Sequence, residues 1–440
     1  MYLVYSVLFS LGIVLTAPYF LWRLRGRLAS GARWRERFGF LPSAFRQSAP
    51  SAVWIHAVSV GETLAVAGLV RAIQKRYPER KIFLSHVTPA GREAGEGRLP
   101  GLAGQFFLPL DWRFSVRRAI NHIRPALLLI VETELWPNLL RAAHESGARV
   151  MLVNARLSDR SFRRYRLVRR FMGGVMNCID WICAQSATDA ERFVALGAPR
   201  ERVTDAGNLK FDSVPPRSGE LAVVLRSALP RAQRSPVIVA ASTMPGEEAL
   251  LLPAWAAVRR RHPRALLILA PRHPNRFETV AQLLENENHS LLRRTGLESD
   301  PGKIAAQIAS PEVFLLDSIG ELAGIFELAD LVFMGGSLVP TGGHNLLEPA
   351  YWAKAIVFGP YMHNFRDIAQ LFLQGGAAVQ VPDAEALTPT FLDLLTDGGR
   401  RTQLGAAAKR VLEQESGATE RTLESIAELL ETRLQTDARE

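Results

Sequence analysis

Short apolar runs alternate with amphipathic segments along most of the chain, and this alternation restarts once. A first series of apolar runs, typical of buried strands, covers residues 52–59, 82–87, 127–131, 150–153 and 181–184. A second series follows Pro215-Pro216 and covers residues 237–241, 266–270, 313–316, 331–334 and 356–358. The segments between the runs, such as 64–77 and 135–146, have apolar residues at helical spacing. Two series of alternating strands and helices predict two doubly wound α/β domains, with ligands at the carboxyl ends of the strands and an active site in the cleft between the domains.

The chain begins with a long apolar segment that carries no charged side chain between Tyr2 and Trp22. Its length suits a helix that spans a membrane or lies in its surface. Arginines follow at positions 23, 25, 27, 33, 35 and 37, which predicts a cytoplasmic location for the rest of the chain. A secretory signal peptide normally has positive charge before its apolar core, and this segment has none. The sequence therefore predicts a membrane anchor over residues 1–22, with a buried amphipathic helix as the alternative.

Length and composition add bounds to this picture. A chain of 440 residues with 48% hydrophobic and 22% charged residues is typical of globular proteins, and it has room for two domains, predicted at 23–214 and 215–440. The formal net charge of +10 favours an acidic partner, which could be nucleic acid, an anionic membrane surface or a phosphorylated substrate. Cys178 and Cys183 match neither a zinc pattern nor a disulfide framework, which favours a reducing compartment. No metal-binding cluster or cofactor motif is evident.

The clearest chemical signal is a glycine-rich stretch at residues 331–348. An apolar run is followed by glycine pairs at 335–336 and 342–343, and a helix is predicted to open close to Asn345. Glycines there allow a backbone to approach a ligand closely, and a helix N-terminus offers free N–H groups to an anion. Glu348 would lie on the same side of the first turn as Asn345, where a carboxylate suits ribose hydroxyls. The pattern predicts a nucleotide site of neither the Walker nor the dinucleotide-binding type, and the alternative is a glycine-rich connection without a ligand.

Acidic residues follow two strands of the first series. Glu62 comes directly after Gly61, so that a carboxylate at a helix start could accept a proton from an attacking hydroxyl. The alternative is a glutamate that only complements the helix macrodipole. Glu132 and Glu134 end a very apolar strand, where they could position an acceptor or stabilise a cationic transition state, or lie in a surface loop. Lys210, just before the domain boundary, could neutralise a carboxylate or a phosphate, or be an ordinary hinge lysine.

The strands of the second series also end in polar turns. Residues 242–248 resemble a capped helix start, and Arg272 follows the next strand, where a guanidinium can fork onto a phosphate. Ile319 and Gly320 follow the third strand and are available for backbone contacts to a base. Each turn is weak support alone, but together with the glycine stretch they favour a nucleotide pocket.

A basic stretch covers residues 156–170, where seven arginines are interleaved with aromatic and aliphatic residues. A solvated helix face is the default interpretation. With a membrane anchor in the same chain, contact with anionic lipid headgroups is an alternative. No nucleic-acid partner is predicted, because no nucleic-acid-binding motif accompanies the charge.

Taken together, these segments resemble the Kdo transferases, glycosyltransferases that attach 3-deoxy-D-manno-octulosonic acid (Kdo) to a lipid A precursor. The resemblance covers nearly the whole chain and rests on the ordered segments HAVSVGE, VETELWPN, GNLKFD, AASTMPGEE, PRHPNRF, DSIGEL and GGHNLLEP. It implies the GT-B fold, in which an acceptor-binding N-terminal domain and a CMP-Kdo-binding C-terminal domain, both Rossmann-like, face a cleft. It also implies a protein of the inner membrane whose catalytic domains face the cytoplasm. Met244 stands where the family pattern has a histidine, which weakens a polar role for that side chain.

The resemblance also implies the roles of individual residues. Glu62 would be the general base that deprotonates the acceptor hydroxyl, and Glu132 and Lys210 would stabilise the transition state of a transfer that inverts the anomeric carbon. The CMP portion of the donor would be held by Pro271, Arg272, Ile319, Gly320, Glu321, Asn345, Leu346, Leu347 and Glu348. The alternatives are another GT-B sugar-nucleotide transferase, a sugar-nucleotide epimerase, or a membrane-tethered nucleotide-binding protein without catalysis.

Overall fold

A computed structural model of the protein describes residues 1–24, 31–212, 218–298 and 300–437, with the backbone alone for 17–24, 31–33, 301 and 432–437. The chain divides into two compact units. Unit 1 comprises Met1–Ser213 and Glu415–Glu440, and unit 2 comprises Val214–Gln414. The predicted boundary at Pro215-Pro216 lies outside the described residues.

Unit 1 is built on a parallel seven-stranded sheet. Its strands are β1 (Ala52–His56), β2 (Ile82–His86), β3 (Gly104–Phe107), β4 (Pro125–Val131), β5 (Arg149–Ala155), β6 (Trp181–Ala184) and β7 (Val203–Asp205), in the spatial order β3-β2-β1-β4-β5-β6-β7. Its helices, apart from one near the C-terminus, are α1 (Tyr2–Leu24), α2 (Gly31–Arg37), α3 (Val60–Ala65), α4 (Ala67–Arg76), α5 (Pro89–Arg98), α6 (Arg113–Ile123), α7 (Pro137–Glu145), α8 (Asp159–Leu167), α9 (Arg169–Met176) and α10 (Ala187–Ala195).

Alternation along β1 shows how the sheet of unit 1 is covered on both faces. Trp54 belongs to one buried cluster, while Val53 and Ile55 belong to the cluster on the opposite face. Every residue of β4 is buried, as expected for a central strand of a parallel sheet. Because β1 and β4 pair in parallel, with His56 opposite Ile130, the segments that follow both strands emerge at the same edge.

Unit 2 has a second parallel seven-stranded sheet. Its strands are β8 (Val237–Thr243), β9 (Leu266–Pro271), β10 (Leu291–Arg293), β11 (Val313–Leu315), β12 (Leu331–Met334), β13 (Ala355–Phe358) and β14 (Val379–Gln380), in the order β10-β11-β9-β8-β12-β13-β14. Its helices are α11 (Glu220–Arg231), α12 (Glu247–Arg261), α13 (Phe277–Asn286), α14 (Pro301–Ala309), α15 (Leu322–Ile325), α16 (Leu347–Tyr351), α17 (Arg366–Gln374), α18 (Leu387–Thr396) and α19 (Gly398–Glu415). The central strand β8 lies between β9 and β12, so the turns after these three strands are neighbours.

The last helix, α20 (Ala418–Asp437), belongs to unit 1. The predicted assignment of residues 215–440 to one C-terminal domain is therefore wrong for this segment. The reason is apolar packing, because Leu423, Ile426 and Leu430 of α20 are buried in the same cluster as Val53 and Ile55 of β1. The Asp212 carboxylate, near the end of the first part of unit 1, accepts hydrogen bonds from the backbone N–H groups at the start of this helix.

Helix α1 covers the segment for which an anchor was predicted. Among the residues that the structure describes, no helix is long and apolar enough to cross a membrane. The side chains of Arg23, Arg25, Arg27 and Arg33, which were used to predict the orientation, lie outside the described part of the chain. The anchor stays a prediction.

The strand predictions hold for the inner part of each sheet. Each predicted apolar run overlaps a strand of the structure. Four further strands were not predicted: β3, β7, β10 and β14. All four lie at sheet edges. The helix predicted at 64–77 begins earlier and breaks at Val66 into α3 and α4. The helix predicted to open close to Asn345 begins at Leu347.

Candidate active site

Glu62 lies in the first turn of α3, directly after the tight turn that follows β1. Its carboxylate accepts a hydrogen bond from the backbone N–H of Val58 over 2.7 Å and one from the Ser59 hydroxyl over 3.2 Å. The Ser59 hydroxyl in turn accepts from the N–H of Glu62 and so caps the start of α3. The structural role that the sequence left open for Glu62 is therefore real, and each carboxylate oxygen still has a lone pair to offer.

The pKa of the Glu62 carboxyl is raised to about 7, chiefly because the group is buried. The hydrogen bond from Val58 works against this shift, and the negative charges of Glu132 and Glu134 add to it. A carboxylate with a pKa near neutrality is suited to take a proton from a hydroxyl, because about half of it is ionised at neutral pH and it is more basic than an ordinary carboxylate.

Glu132 follows β4 and is held in an unusual backbone conformation, with a φ of 57°. Its N–H bonds to the carbonyl of Val153 on β5, and its carboxylate Oε1 lies 3.2 Å from the Nζ of Lys210. Both side chains of this ion pair are about one quarter exposed. The sequence left the role of Glu132 and the role of Lys210 open. The structure brings these two residues, which are 78 positions apart in the chain, together in one ion pair.

Lys210 lies in a short 3-10 helix, Leu209–Asp212, whose position is fixed from two sides. The buried side chain of Asn154, at the end of β5, accepts the N–H of Leu209 through its Oδ1 at 2.9 Å. Asp212 anchors the other end by capping α20. Asn154 was not predicted as a site residue. The only sequence signal for it is a polar residue near the end of an apolar strand.

Glu134 lies near the carboxylates of Glu132 and Glu62. It accepts a hydrogen bond from the indole N–H of Trp136 over 3.0 Å. Burial raises the pKa of the Glu134 carboxyl, the bond from Trp136 lowers it, and the charge of Glu132 raises it further. We refer to Glu62, Glu132, Glu134 and Lys210 as the carboxylate site of unit 1.

In unit 2, the turn after β8 leads into α12, whose first two residues, Glu247 and Glu248, are both buried. The Glu247 carboxylate accepts the backbone N–H groups of Gly336, Ser337 and Leu338 at 2.5, 2.9 and 2.8 Å. It also accepts the N–H of Met244 at 2.9 Å, so the residue that departs from the family pattern contributes through its backbone.

These bonds change the interpretation of the glycine stretch. The first glycine pair was expected to offer its backbone to a ligand, but the amide of Gly336 is occupied by Glu247, and that of Gly335 bonds to the carbonyl of Ala241. A Cβ on Gly335 would lie 2.7 Å from the carbonyl oxygen of Ser242, so glycine is needed here for close packing of backbone on backbone. A role for Glu247 was not predicted, although the segment PGEE was noted as a capped helix start.

The neighbouring Glu248 forms a fork-to-fork ion pair with Arg276, with both bonds at 2.8 Å, and accepts the Thr243 hydroxyl at 2.7 Å. Arg276 also donates to the Thr243 carbonyl, and the N–H of Arg272 donates to the same carbonyl. This network holds the backbone that follows β9. Pro271 is buried, whereas the Arg272 side chain is exposed and has no ion-pair partner among the described residues.

Residues 317–321 follow β11. The Asp317 carboxylate binds Arg293 and Thr295, and the Glu321 carboxylate binds Arg294 through bonds of 3.1 and 3.2 Å. Ile319 is 63% exposed, and Gly320 has a φ of 93°. The predicted contacts to a base can therefore come from exposed main chain at Ile319 and Gly320, while the Glu321 side chain is already engaged.

The end of the glycine stretch carries two further polar side chains, of which His344 lies close enough to Arg272 to be affected by its charge. His344 is half-buried, its Nε2 has no hydrogen-bond partner in the described structure, and burial together with the charge of Arg272 lowers its pKa to about 4. Asn345 accepts the N–H of Leu347 at 3.2 Å. The side chains of Leu346 and Leu347 are buried in the unit, so any contact of these two residues with a ligand is made by the main chain, and Glu348 lies in the first turn of α16.

The predicted residues therefore form two groups, one in each unit. The carboxylate site gathers the predicted catalytic residues of unit 1, and the turns after β9, β11 and β12 carry the predicted nucleotide-binding residues of unit 2. Within the described ranges, no group of three or more histidine, cysteine, aspartate or glutamate side chains is arranged to hold a metal ion.

Comparison with known proteins identifies the family. Residues 32–213 match the family model described as 3-deoxy-D-manno-octulosonic-acid transferase (kdotransferase). A 3-deoxy-D-manno-octulosonic acid transferase of Haemophilus influenzae is 36% identical over 93% of this chain and 92% of its own length. One of Bordetella pertussis is 35% identical over 93% of this chain and 96% of its own length.

Solved structures resemble the fold at low identity. The putative UDP-N-acetylglucosamine 2-epimerase of Listeria monocytogenes matches with a TM-score of 0.58 and 14% identity, over 87% of this chain and 97% of that one. This likeness agrees with the predicted α/β fold of the GT-B type. The sequence relatives settle the family: the chain belongs to the 3-deoxy-D-manno-octulosonic acid transferases, the glycosyltransferases that transfer Kdo in lipopolysaccharide biosynthesis.

Proposed function

We propose that this protein transfers Kdo from CMP-Kdo to a hydroxyl of a lipid A precursor, lipid IVA, with inversion of the anomeric carbon. Family membership supports the transferred sugar. The observation that carries the proposed chemistry is the carboxylate site, in which a glutamate with a pKa of about 7 lies near a glutamate–lysine ion pair. Such a site can remove a proton from a hydroxyl and stabilise a sugar that becomes positively charged.

In the proposed reaction, Glu62 is the general base. The acceptor hydroxyl oxygen attacks the anomeric carbon of Kdo while its proton passes to the Glu62 carboxylate. The bond between the anomeric carbon and the phosphate oxygen breaks, and its electron pair leaves with CMP. Attack from the side opposite to the leaving group inverts the anomeric carbon.

Glu132 and Lys210 stabilise the transition state in this proposal. A sugar that loses its leaving group before the new bond is complete carries positive charge, which the Glu132 carboxylate attracts. Lys210 holds that carboxylate in place through the 3.2 Å ion pair. The rare backbone conformation of Glu132 fixes the direction of its side chain, as expected for a residue with a positional task.

Unit 2 binds the CMP portion of the donor. Arg272 is an exposed guanidinium with no ion-pair partner in the described part of the chain, and it can neutralise the phosphate as it leaves. Pro271 continues the sheet beside it, and the exposed main chain of Ile319, Gly320 and Glu321 can bind the base. The segment Asn345, Leu346, Leu347 and Glu348 supplies main-chain groups and two polar side chains for the ribose.

We also propose that unit 1 attaches to the cytoplasmic face of the inner membrane. One side of α1 is apolar and exposed, with Leu3, Leu8 and Leu15 each more than 60% accessible. Phe171, which follows Arg169 and Arg170 in the chain, packs on Tyr2 and Tyr5 of this helix. The exposed arginines of α8 and α9 are therefore near α1, where an apolar face and positive charges together favour anionic lipid.

Membrane attachment can be tested by sedimentation with lipid vesicles. We expect binding to vesicles that contain anionic phospholipid and weaker binding to neutral vesicles. The variant Arg163→Gln/Arg164→Gln should reduce the difference between the two vesicle types, because it removes exposed positive charge from α8. Equal binding of the unaltered protein to both vesicle types would contradict the proposal.

The transfer itself is tested by incubating the protein with CMP-Kdo and lipid IVA and measuring the mass of the lipid product. We expect the mass of the lipid to increase by one or more Kdo residues, with release of CMP. Activity with a UDP-sugar and none with CMP-Kdo would favour another GT-B transferase or an epimerase. Binding of CMP without any product would favour a nucleotide-binding protein without catalysis.

A further inference from the structure

Helix α1 is attached to unit 1 by one specific face. Tyr5 donates its hydroxyl to the Asp111 carboxylate at 2.9 Å, the Asn138 amide donates to the Ser6 hydroxyl at 3.0 Å, and the Trp112 indole donates to the Ser10 hydroxyl at 2.9 Å. The polar side chains of this part of an otherwise apolar helix thus all have partners in unit 1. We call Tyr2, Tyr5, Ser6, Phe9 and Ser10 the docking face of α1. A helix that served only as a membrane tether would need no such set of polar contacts.

Asp111 connects the docking face to the beginning of α7. Its carboxylate is 1% exposed and accepts the backbone N–H groups of Asn138 and Leu139 at 3.0 and 2.8 Å. It therefore caps α7, and the Tyr5 hydroxyl is the third donor to the same carboxylate. Because α7 directly follows the segment from Glu132 to Trp136, Asp111 fixes one end of the turn that carries Glu132 and Glu134.

Phe9 reaches the same turn directly. The Phe9 ring packs edge to face on the Trp136 indole, with centroids 6.4 Å apart and an interplanar angle of 82°. The indole N–H of Trp136 donates to the Glu134 carboxylate at 3.0 Å. One side chain of the N-terminal helix therefore supports the ring that holds a carboxylate of the carboxylate site.

From these contacts we infer that α1 is a positioning element of the carboxylate site: Phe9 and Tyr5 hold the turn whose Trp136 keeps Glu134 near Glu132 and Glu62. This inference rests on the proposed role of Glu62 as general base. It assigns the N-terminal helix a function in transfer that is separate from membrane attachment, because the docking face and the exposed apolar face are made of different residues.

The charge of Glu134 is the means by which this support would act on Glu62. Other titratable groups on elements that pack against α3 are Arg92, Glu93, Glu96 and Arg98 on α5, Arg71, Lys75 and Arg76 on α4, Lys210 and Asp212 in the 3-10 helix, and His86 at the end of β2. Arg92 pairs with Glu96 and Glu36, Lys210 with Glu132, and His86 bonds to Gln105. Beside Glu134 lie Glu132 and the Tyr165 phenol.

The experiment compares substitutions on the two faces of α1. Phe9→Ala alters the docking face, and Leu8→Ser alters the exposed face one residue away. Each variant is assayed for vesicle binding, for kcat with lipid IVA in detergent micelles, and for the pH dependence of kcat/KM. We expect Phe9→Ala to lower kcat by about 10- to 100-fold, because catalytic groups tolerate little misplacement. We also expect it to move the acid limb of the pH profile to lower pH, with vesicle binding retained.

Leu8→Ser should do the opposite, reducing vesicle binding and leaving the acid limb where it is. Trp136→Phe provides a variant that keeps a ring against Phe9 and removes only the N–H donor to Glu134. It should also shift the acid limb to lower pH, because Glu134 without this donor is ionised less easily and repels a charged Glu62 less. The melting temperature of each variant identifies loss of folding.

Two outcomes would overturn the inference. In the first, Phe9→Ala reduces vesicle binding and leaves the acid limb in place, as is expected for Leu8→Ser. In the second, both Phe9→Ala and Trp136→Phe are folded and leave the acid limb unchanged. Failure of the proposed function has a different signature, since Glu62→Gln would then keep normal transfer or the unaltered protein would show no acid limb at all.

Discussion

The two sheets treat the acidic side chains at their carboxyl ends in opposite ways. In unit 2, Glu248 pairs with Arg276, Asp317 with Arg293 and Glu321 with Arg294, while Glu247 is surrounded by backbone N–H groups. In unit 1, Glu62 and Glu134 are half-buried near Glu132, and neither pairs with a cation among the described residues, while Glu132 itself pairs with Lys210.

The difference indicates that the two units have different chemical roles. A buried carboxylate without a cation binds a proton more easily, and unit 1 gathers such groups around Glu62. In unit 2 the acids Glu248, Asp317 and Glu321 have arginine partners, whereas the exposed Arg272 has no ion-pair partner among the described residues and can bind an anionic ligand. Unit 1 is thus suited to proton transfer and unit 2 to binding an anion.

The largest expected effect that separates the two regions comes from Lys210→Met. The variant leaves Glu132 without its cation and should lower kcat by about 10²- to 10³-fold, comparable to the loss of one preorganised charged group in other active sites. CMP affinity should not change, because Lys210 lies in unit 1. Transfer assays and CMP titration measure the two quantities, with Lys75→Met on the exposed surface of α4 as the control. An equal loss of CMP affinity would remove the distinction between the regions.

Glu247→Ala tests whether the buried acid of unit 2 is structural. Four backbone N–H groups would lose their acceptor, and we expect a loss of roughly 3 kcal/mol or more in the free energy of unfolding. Chemical denaturation measures this value. Glu285→Ala, on the exposed side of α13, should change it by no more than about 0.5 kcal/mol. A folded, equally stable Glu247→Ala variant with weaker CMP binding would mean that Glu247 serves the ligand instead.

Arg272→Ala should weaken CMP binding by about 10- to 100-fold, because hydrogen bonds to charged groups contribute roughly 1.5–3 kcal/mol. Isothermal titration with CMP provides the measurement. The control is Arg260→Ala, an exposed arginine of α12 away from the strand ends. Unchanged affinity in Arg272→Ala would place the phosphate elsewhere.

The smallest expected effect is the dependence of transfer on pH. Only the ionised form of Glu62 can accept a proton, so kcat/KM should fall about tenfold for each pH unit below the pKa of about 7. The KM of the donor should change little over this range, because its phosphodiester does not titrate there. Steady-state kinetics at several pH values measure both parameters, and an acid limb near the ordinary glutamate pKa would argue against a buried base.

The sequence predicts the inner strands of both sheets because these are buried on both faces and consist of continuous apolar runs. The edge strands β3, β7, β10 and β14 are short and partly polar, and nothing in their local pattern separates them from loops. The position of α20 could not be predicted either. Its apolar residues would suit either unit, and the choice of unit 1 depends on tertiary packing.

The candidate site is predictable where a residue type and its place at a strand end agree, as for Glu62, Glu132 and Arg272. It is not predictable where the partner is distant in sequence. The sequence indicates only that Glu247 lies at a helix start. Its contacts with residues 336–338 could not be predicted, because they depend on the pairing of β8 with β12. The link from Phe9 to Glu134 likewise needs a helix and a turn that are separated by more than one hundred residues.

The central claim is that Glu62 takes the proton while unit 2 holds the nucleotide. The most direct test measures Kdo transfer to lipid IVA and CMP affinity in the same preparation of Glu62→Gln. We expect transfer by this variant to fall by about 10²- to 10⁴-fold, while its CMP affinity stays at the normal value. Near-normal transfer by Glu62→Gln would contradict it, and so would a loss of CMP affinity that accounts for the whole defect.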